Sequence, residues 1–249
     1  MKKYELTTET KVVSGHTLYR IRALVAFGSV DTGELGGWIE NETNLAQYGN
    51  AWVYGNARVY GNAQVHGKAQ VYGDAEVCGN AWVYGNAQVY GNAQVYGAAQ
   101  VYGNAWVYGN AWVYGNAQVY GNAQVYSNAQ VYGDAQVYGN AWVCGNAWVY
   151  GDAWVYGDAE VYGNAQVYGN AEVCDNAAIM TVSHIGSRFG TTTFFVLNNG
   201  KIGVQCGCFY GDIDEFAAKV EQTHGNNQHG KAYKLAIELA KLRLQTRKE

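Results

Sequence analysis

The sequence predicts a mainly β protein built as a triangular parallel β-solenoid, and three observations carry this prediction. The hexapeptide Ala-x-Val-Tyr-Gly-Asn repeats from Ala51 to Cys174, with Val at position 53 and at every sixth position through Val173. No residue is inserted or deleted anywhere in this stretch. One repeat is too short to bury its own Val, so coils of three repeats must stack on one another to form a core.

Within each repeat, the Ala and Val side chains are predicted to face inward and the variable residue between them to face solvent. Successive strand residues alternate sides, so Ala51 and Val53 point into the core while Trp52 points out. The Gly and Asn that follow tolerate positive φ, which predicts a tight corner after each three-residue strand. The repeats therefore predict about seven coils, with Ile179 beginning an eighth.

Composition fits a repeat protein and argues against one class of partner. The chain has 249 residues, with no Pro, 33 Gly and 22 Tyr, a bias that is typical of repeat architectures. Residues 50–173 contain two basic and seven acidic side chains, a balance of −5. Nucleic acids are bound through basic surfaces, so we expect no nucleic acid along the solenoid.

Residues 1–46 are predicted to form an N-terminal β cap. Segments 4–13 and 17–26 alternate polar residues with β-formers, and Ser14 and Gly15 lie between them, a pattern typical of a β-hairpin. The open end of a solenoid exposes unpaired strand edges and apolar side chains, so it must be covered. The solenoid itself is assigned to residues 47–181.

Residues 182–249 are predicted to form a small C-terminal ββαα module that docks on the last coil or on its copies in an oligomer. A hairpin of segments 191–197 and 201–206 is followed by Asp212 and Glu215, which form a capping-box pattern, and Gly225 ends this first helix. A second helix is predicted over residues 228–246.

The second helix is predicted to pack through one leucine stripe. Leu235, Leu239 and Leu242 share a face at helical spacing, and Ile237 and Leu244 widen it. The basic residues of its last turn favour the negative end of the helix dipole. These residues are Lys241, Arg243, Arg247 and Lys248.

Variable residues that are eighteen positions apart are predicted to be vertical neighbours on one of three flat sides. The first side carries Trp52, Gln70, Gln88, Trp106, Gln124, Trp142 and Glu160; the second carries Arg58, Glu76, Gln94, Trp112, Gln130, Trp148 and Gln166; the third carries Gln64, Trp82, Gln100, Gln118, Gln136, Trp154 and Glu172. A Trp-Gln-Trp column thus occurs on the first two sides, and the corner tyrosines form vertical ladders.

These outward aromatic residues are the candidate site. Exposed aromatic patches mark interaction surfaces, which suggests either a subunit interface or stacking of a small ligand such as a glycan or a nucleotide signal. The alternative is repeat duplication that tolerates Trp and Gln equally. The candidate interface or ligand-binding residues are Trp106, Trp112, Trp142, Trp148, Trp154, Tyr108, Tyr114 and Tyr150.

The repeat resembles the hexapeptide repeat of left-handed parallel β-helix proteins, with Val at the aliphatic position and Ala at the small one. The segment beginning at Arg22 (Arg-Ala-Leu-Val-Ala-Phe-Gly), followed by Gly-Gly-Trp-Ile-Glu from Gly36, resembles the opening of uncharacterised β-helix proteins of phages, prophages and gut bacteria. The resemblance implies a left-handed coil, packing as a trimer and a phage or bacterial context. Many relatives of this kind are acyltransferases, which makes that activity an alternative.

Catalysis is not expected from the residues at hand. The resemblance implies a catalytic His on a loop extruded from the helix, whereas this repeat has no extruded loop and its one His, His66, replaces a corner Tyr. Cys206 and Cys208 form the one close cysteine pair, which we interpret as two small strand residues. His224 and His229 flank an interhelical loop without a metal-site pattern. We therefore expect neither a catalytic residue, a cofactor nor a metal.

The leading hypothesis is a non-enzymatic scaffold that self-associates, with a trimer favoured, and presents residues 182–249 to a partner protein. A small-ligand binding protein is the alternative, and an acyltransferase is the third. No targeting or transmembrane segment is visible in the sequence, so we expect a location in the cytoplasm of a bacterium or a phage-infected cell, with no membrane partner.

Overall fold

The computed structural model describes residues 2–244 and has the predicted mainly β fold, a solenoid of parallel sheets with a strand-rich N-terminus and two C-terminal helices. The N-terminal strands are β1 (Tyr4–Val13), β2 (His16–Ala23) and β3 (Leu35–Ile39), followed by a 3₁₀ turn over Glu42–Asn44. The predicted hairpin is confirmed, since β1 and β2 pair antiparallel across the turn at Ser14 and Gly15.

Twenty-one two-residue strands follow, each made of the variable residue and the Val of one repeat. In chain order they are β4 (Trp52–Val53), β5 (Arg58–Val59), β6 (Gln64–Val65), β7 (Gln70–Val71), β8 (Glu76–Val77), β9 (Trp82–Val83), β10 (Gln88–Val89), β11 (Gln94–Val95), β12 (Gln100–Val101), β13 (Trp106–Val107), β14 (Trp112–Val113), β15 (Gln118–Val119), β16 (Gln124–Val125), β17 (Gln130–Val131), β18 (Gln136–Val137), β19 (Trp142–Val143), β20 (Trp148–Val149), β21 (Trp154–Val155), β22 (Glu160–Val161), β23 (Gln166–Val167) and β24 (Glu172–Val173).

Each strand is one residue shorter than predicted because the Ala of the repeat closes the corner before it. The Ala57 N–H donates to the carbonyl oxygen of Tyr54 at 3.1 Å, and the same turn bond recurs at many corners. The Ala side chain still faces the core. Every repeat Ala and Val from Ala51 to Val173 is buried, as predicted.

The strands form three faces of the prism in the predicted register. Face 1 is β4, β7, β10, β13, β16, β19 and β22; face 2 is β5, β8, β11, β14, β17, β20 and β23; face 3 is β6, β9, β12, β15, β18, β21 and β24. Strand β3 extends face 2 by pairing Trp38 with Arg58, and Leu45 pairs with Val65 on face 3. The solenoid therefore has about eight turns, of which seven are complete.

The N-terminal cap is joined to the first coil by packing as well as by strand pairing. Trp52 was predicted to face solvent, but this is wrong: its ring is fully buried, 6.0 Å from the ring of Tyr4 and 5.3 Å from that of Phe27. The Lys3 ammonium group is also buried, donating to the carbonyl of Ala51 at 2.9 Å, and its burial lowers the pKa of Lys3 to about 8. The first outward position is thus used by the cap.

A four-stranded antiparallel sheet covers the other end. Its strands are β25 (Ile179–Ile185), β26 (Gly190–Val196), β27 (Ile202–Cys206) and β28 (Phe209–Asp212), arranged in chain order. The predicted hairpin is β26 and β27, whereas β25 and β28 were not predicted. Ile179 does not begin an eighth coil, because it starts β25 and packs over the solenoid core.

This sheet lies between the solenoid and two helices, α1 (Ile213–His224) and α2 (Gln228–Arg243). Adjacent strand residues point to opposite sides, so Phe195 packs on the end of the solenoid core while Phe194 packs against Phe216 of α1. The module therefore docks on the last coil, as expected. The capping box of Asp212 and Glu215 is confirmed at the start of α1, and Gly225 caps its end.

Helix α2 packs through a face that shares only Ile237 and Leu244 with the predicted stripe. Its buried residues are Gly230, Tyr233, Ala236, Ile237 and Ala240, with Leu244 just beyond the helix. The predicted core stripe of Leu235, Leu239 and Leu242 is 54–72% exposed. Small side chains at Ala236 and Ala240 allow close approach to the neighbouring elements, which larger leucines would prevent. The predicted end of the helix at 246, with Arg247 and Lys248, lies outside the described residues.

Among the helices of residues 2–244, none is long and apolar enough to cross a membrane.

A matched pair of alanine variants tests which face of α2 is the core. We expect Ile237→Ala to lower the free energy of unfolding by about 2–5 kcal/mol, because it removes buried methyl groups and leaves a cavity. Leu239→Ala should change that free energy by no more than about 0.5 kcal/mol, since Leu239 is half exposed. Urea unfolding monitored by circular dichroism measures both variants, and equal losses would contradict this assignment.

Two glycine variants test the stacking of the corners. Gly115 has φ +72°, and a Cβ there would lie 2.9 Å from the backbone nitrogen of Gly133 in the next coil. Gly163 has nearly the same φ, +68°, but no neighbour within 4 Å. Ala at positive φ costs about 1–2 kcal/mol at either site. We expect Gly115→Ala to lose about 1–3 kcal/mol more than Gly163→Ala in thermal or urea unfolding, because only the former overpacks a corner.

Candidate functional site

Six tryptophans stand out from the three faces, and each is between 38% and 44% exposed. They are Trp82, Trp106, Trp112, Trp142, Trp148 and Trp154. All five candidate tryptophans are in this group. Partial exposure means that each indole lies over its neighbours and still offers part of its surface to another molecule.

The strand register creates two matching columns on adjacent faces. On face 1, Gln124 pairs with Trp106 on one side and Trp142 on the other. On face 2, Gln130 pairs with Trp112 and Trp148 in the same manner. We name these the Trp-Gln-Trp columns. Because consecutive strands belong to one coil, both columns lie at the same height along the prism axis.

The four column tryptophans flank the corner between faces 1 and 2. Trp106 and Trp112 are consecutive variable residues, separated by the corner that contains Tyr108, and Trp142 and Trp148 are separated by the corner that contains Cys144. Trp154 occupies face 3 of the same coil as Trp142 and Trp148. Face 3 has no Trp-Gln-Trp column, since three glutamines separate Trp82 from Trp154.

The three candidate tyrosines lie inside ladders of stacked rings. Tyr108 stacks between Tyr90 and Tyr126 with centroids 4.8 and 4.9 Å away. Tyr114 stacks between Tyr96 and Tyr132, and Tyr150 between Tyr132 and Tyr168. Their ring faces are therefore already used within the chain. A partner or ligand can contact only their edges and hydroxyl groups. The predicted stacking of a ligand on the faces of these three rings is therefore excluded in this structure.

Tyrosine and glutamine are coupled between coils. The Tyr108 hydroxyl donates to Oε1 of Gln124 at 3.1 Å, and the Tyr114 hydroxyl donates to Oε1 of Gln130 at 3.3 Å. Bonds of the same kind, from a Tyr to the Gln or Glu sixteen residues later, join Tyr60–Glu76, Tyr72–Gln88, Tyr84–Gln100, Tyr102–Gln118, Tyr120–Gln136 and Tyr156–Glu172.

A variable Trp forgoes this bond. Tyr90 and Tyr126 precede Trp106 and Trp142 by sixteen residues, and within residues 2–244 neither phenol donates to the indole. Gln at a variable position therefore supports the ladder, whereas Trp does not. The two residue types are not equivalent, which weakens the idea that the repeat tolerates them equally.

A second kind of ladder is formed by Asn side chains at the corners. The Asn86 side-chain amide donates to Oδ1 of Asn104 at 2.9 Å, and Asn104 donates to Asn122 in turn. Stacked amides of this kind support in-register parallel strands. Corner Asn residues thus link neighbouring coils, whereas the outward tryptophans make only occasional edge contacts with corner rings, as Trp112 does with Tyr96 at 6.5 Å.

His66, the candidate base of an acyltransferase, is surrounded by aromatic rings. Its imidazole stacks on Tyr84 with centroids 5.1 Å apart and meets the edge of Trp82 at 6.2 Å. Burial lowers the pKa of His66. In the described part of the chain, no carboxylate is hydrogen-bonded to this ring, so nothing orients it as the base of a proton transfer.

Residues 2–244 contain no group of three or more His, Cys, Asp or Glu arranged to hold a metal ion. All five cysteines are unpaired. Cys78, Cys144 and Cys174 each interrupt a different ladder.

The sequence did not predict a cleft in the C-terminal module that includes Arg188 and Phe189, because its walls come from distant segments. Cys206, Cys208 and His224, which also line this cleft, were noted in the sequence without a functional role.

The repeat segment matches a known family model. Residues 51–67, 69–85, 87–100, 99–115, 117–133, 129–145 and 135–151 match the YdcK beta solenoid repeat. The chain is thus a β-solenoid repeat protein, and its N-terminal cap and C-terminal module lie outside the matched segments. No curated protein matches the chain.

The tyrosine ladders predict a loss of stability at alkaline pH. Burial raises the pKa of Tyr132 from 10.0 to about 12, and burial also raises the pKa of Tyr108 and Tyr114. Well below pH 10, the phenols are protonated in both the folded and the unfolded chain, so their ionisation does not lower the free energy of unfolding. As pH rises toward 12, the unfolded chain releases protons that the folded chain retains, and the free energy of unfolding falls.

Urea unfolding at a series of pH values, with tyrosinate absorbance recorded in parallel, measures this effect. We expect the absorbance of the folded protein to rise at higher pH than that of the protein in guanidinium. Tyr132→Phe should make this decline shallower, because the contribution of the Tyr132 phenol to the pH dependence is removed. Coincident absorbance curves for folded and unfolded protein would contradict the prediction.

Proposed function

We propose that this protein is a non-enzymatic scaffold that associates with copies of itself through the Trp-Gln-Trp columns and presents its C-terminal module to a partner protein. The observation that carries the proposal is the presence of two matching columns, Trp106-Gln124-Trp142 and Trp112-Gln130-Trp148, at the same height on adjacent faces. Aromatic residues of this kind are enriched at protein interfaces.

The arrangement suits a closed ring, with a trimer favoured. In a cyclic assembly larger than a dimer, one surface of each protomer contacts a different surface of the next. Such a ring needs two complementary surfaces at one height, inclined to each other. Faces 1 and 2 of a triangular prism are inclined to each other and carry their columns at one height, and the resemblance to left-handed β-helix proteins that form trimers supports the same assembly.

The size of the tryptophan contribution indicates moderate affinity. If association covers about 80 Å² of each indole, the four indoles at one contact bury about 320 Å², which is worth about 8 kcal/mol. Lost translational and rotational freedom opposes association by about 4–15 kcal/mol. The tryptophans therefore decide whether the assembly forms, and the glutamine rows and corner residues must supply the remainder.

The C-terminal module supports a second contact, with a partner of another kind. Leu235, Leu239 and Leu242 leave an apolar stripe on α2 that no residue in 2–244 covers. A stripe of this kind suits an apolar groove or helix of a protein partner. The proposed setting is the cytoplasm of a bacterium or a phage-infected cell, which the phage and prophage resemblance and the unpaired cysteines support.

A second candidate function, binding of a glycan or nucleotide signal, is favoured by one observation. The indoles of each column are two coils apart, about 10 Å, with a Gln between them. Among the described residues, the side-chain nitrogen of Gln124 has no hydrogen-bond partner, while its Oε1 accepts from Tyr108. A flat ligand between two indoles could accept a bond from this amide. Native mass spectrometry of the protein purified from cells distinguishes this alternative by a discrete added mass.

Replacing the column tryptophans tests the scaffold. Changing Trp106, Trp112, Trp142 and Trp148 to Gln should convert an oligomer into a monomer at micromolar concentration, because Gln fits the same repeat position without the indole surface. Size-exclusion chromatography with light scattering, together with native mass spectrometry, reports the mass.

The matched control changes Trp82 and Trp154 to Gln on face 3, where no column exists. This variant should keep the parent mass. A parental protein that is monomeric, or a quadruple variant that keeps the parental mass, would refute the proposed interface.

A further inference from the structure

A cleft of about 600 Å³ lies between the last coil and the C-terminal module. Its walls come from the last coil, the loop between β25 and β26, the turn between β27 and β28, and the helices. The lining residues are Asn164, Gln166, Ile185, Ser187, Arg188, Phe189, Gly190, Thr191, Cys206, Gly207, Cys208, Thr223, His224 and Tyr233. A volume of this size is typical of small-molecule sites.

The charge of the cleft has one sign. Arg188 and His224 are the lining residues that can carry positive charge, and no Asp or Glu lines the cleft. Within residues 2–244, Arg188 forms neither a hydrogen bond nor an ion pair. Three lysines of the module do form ion pairs: Lys201 with Asp212 at 3.1 Å, Lys234 with Glu221 at 2.6 Å and Lys241 with Asp214 at 2.7 Å. The guanidinium of Arg188 is thus left available for an anion from outside the chain.

The loop that carries Arg188 packs closely on Tyr233 at one end. Gly186 has φ +76° and adjoins the hydroxyl of Tyr233, so any side chain at position 186 would collide with that phenol. Phe189, at the other end of the loop, is a non-glycine residue with φ +50°. Its side chain is 72% exposed at the edge of the cleft. An apolar ring and a guanidinium therefore both line the cleft.

Another part of the cleft is lined by thiols and rings. The Thr192 hydroxyl donates to Sγ of Cys206 at 3.1 Å, and Sγ of Cys206 lies 3.6 Å from the Tyr233 hydroxyl. The imidazole of His224 lies over the Tyr233 ring with centroids 5.7 Å apart. Cys208, in the turn after Cys206, is exposed. This wall offers weak hydrogen-bonding groups and flat apolar surface, which suit the body of an organic molecule more than a bare inorganic ion.

We propose that this cleft binds a small organic anion, in which a carboxylate or phosphate group pairs with Arg188 and a flat apolar body contacts Phe189. The planar guanidinium matches both oxyanions through paired N–H donors. The C-terminal end of α1 also lines the cleft, but its partial negative charge is about half an elementary charge, less than the full charge of Arg188. The site is independent of the Trp-Gln-Trp columns, so either proposal can fail without the other.

The exposed thiol of Cys208 provides the test on the intact protein. A cysteine thiolate displaces iodide from iodoacetate or iodoacetamide, forming an S–C bond as the C–I bond breaks, and the two reagents differ in charge. If the cleft attracts anions, the ratio of the alkylation rate by iodoacetate to that by iodoacetamide should be higher at Cys208 than at the other cysteines. A unit charge about 4 Å away is worth about a fivefold change in rate even at the dielectric constant of water. Mass spectrometry of digested protein gives the rate at each cysteine, with Cys144 and Cys174 as internal references.

Variants assign the effect to the cleft. We expect Arg188→Gln to abolish the preference of Cys208 for iodoacetate, Arg188→Lys to restore most of it, and Arg22→Gln, in the N-terminal hairpin, to leave it unchanged. Phenyl phosphate and benzoate at millimolar concentration should slow the reaction of Cys208 with neutral iodoacetamide. The more effective of the two identifies the anionic group. Phe189→Ser, at an exposed position, should weaken this protection and preserve the iodoacetate preference.

Three results would overturn the proposal. The first is a Cys208 that shows no greater preference for iodoacetate than Cys144 and Cys174 show. The second is a preference that persists in Arg188→Gln. The third is unchanged alkylation of Cys208 in the presence of both phenyl phosphate and benzoate.

Discussion

The hydrogen bonding of each strand to its equivalent eighteen residues later is the constraint on which the rest of the structure depends. The N–H of each variable residue from Trp52 to Trp154 donates to the Ala carbonyl of the next coil, as Gln94 does to Ala111 at 2.9 Å. Because neighbouring strands are held about 4.8 Å apart, every residue type in the repeat becomes a vertical column. Buried Val, stacked Tyr, linked Asn and outward Trp are all consequences of that spacing.

At each variable position, the residue that best stabilises the tyrosine ladder differs from the residue that offers surface to another molecule. A Gln at the variable position accepts a bond from the tyrosine of the preceding coil, as Gln124 does from Tyr108, and so reinforces the ladder. A Trp in its place gives up that bond and leaves part of an indole in water. A position that forgoes a bond within the chain and exposes apolar surface is more readily explained by a contact outside the chain.

The sequence predicted the solenoid in full and its ends only in part. A strict period assigns each residue to a face, a height and a side by arithmetic alone, which is why the Gln124 and Gln130 columns were predictable. The burial of Trp52 was not, because it depends on Tyr4 and Phe27 folding back from the cap. Such contacts join segments with no common period.

The same reasoning explains the errors in the C-terminal module. Helix α2 offers two apolar stripes, and hydrophobicity favoured the three leucines, whereas packing selected Ala236 and Ala240, whose small side chains permit close contact. Strand β28 is four residues long and leads directly into the cap of α1, so its sequence also reads as a turn. The cleft around Arg188 draws on segments up to 69 positions apart in the sequence, Asn164 to Tyr233, and no local pattern marks it.

The fit between the last coil and the terminal sheet has a consequence for how the gene of such a protein can change length. Ala171 bridges to Leu197, and Asn198 bonds to Asn170, so the sheet recognises particular faces of the prism. Gain or loss of a single hexapeptide would turn these faces by one third of a revolution beneath the sheet. Gain or loss of eighteen residues would move the sheet by one coil along the prism axis and keep its contacts with the same faces. We therefore expect such a protein to change length by whole coils of eighteen residues, although the repeat visible in the sequence is six residues long.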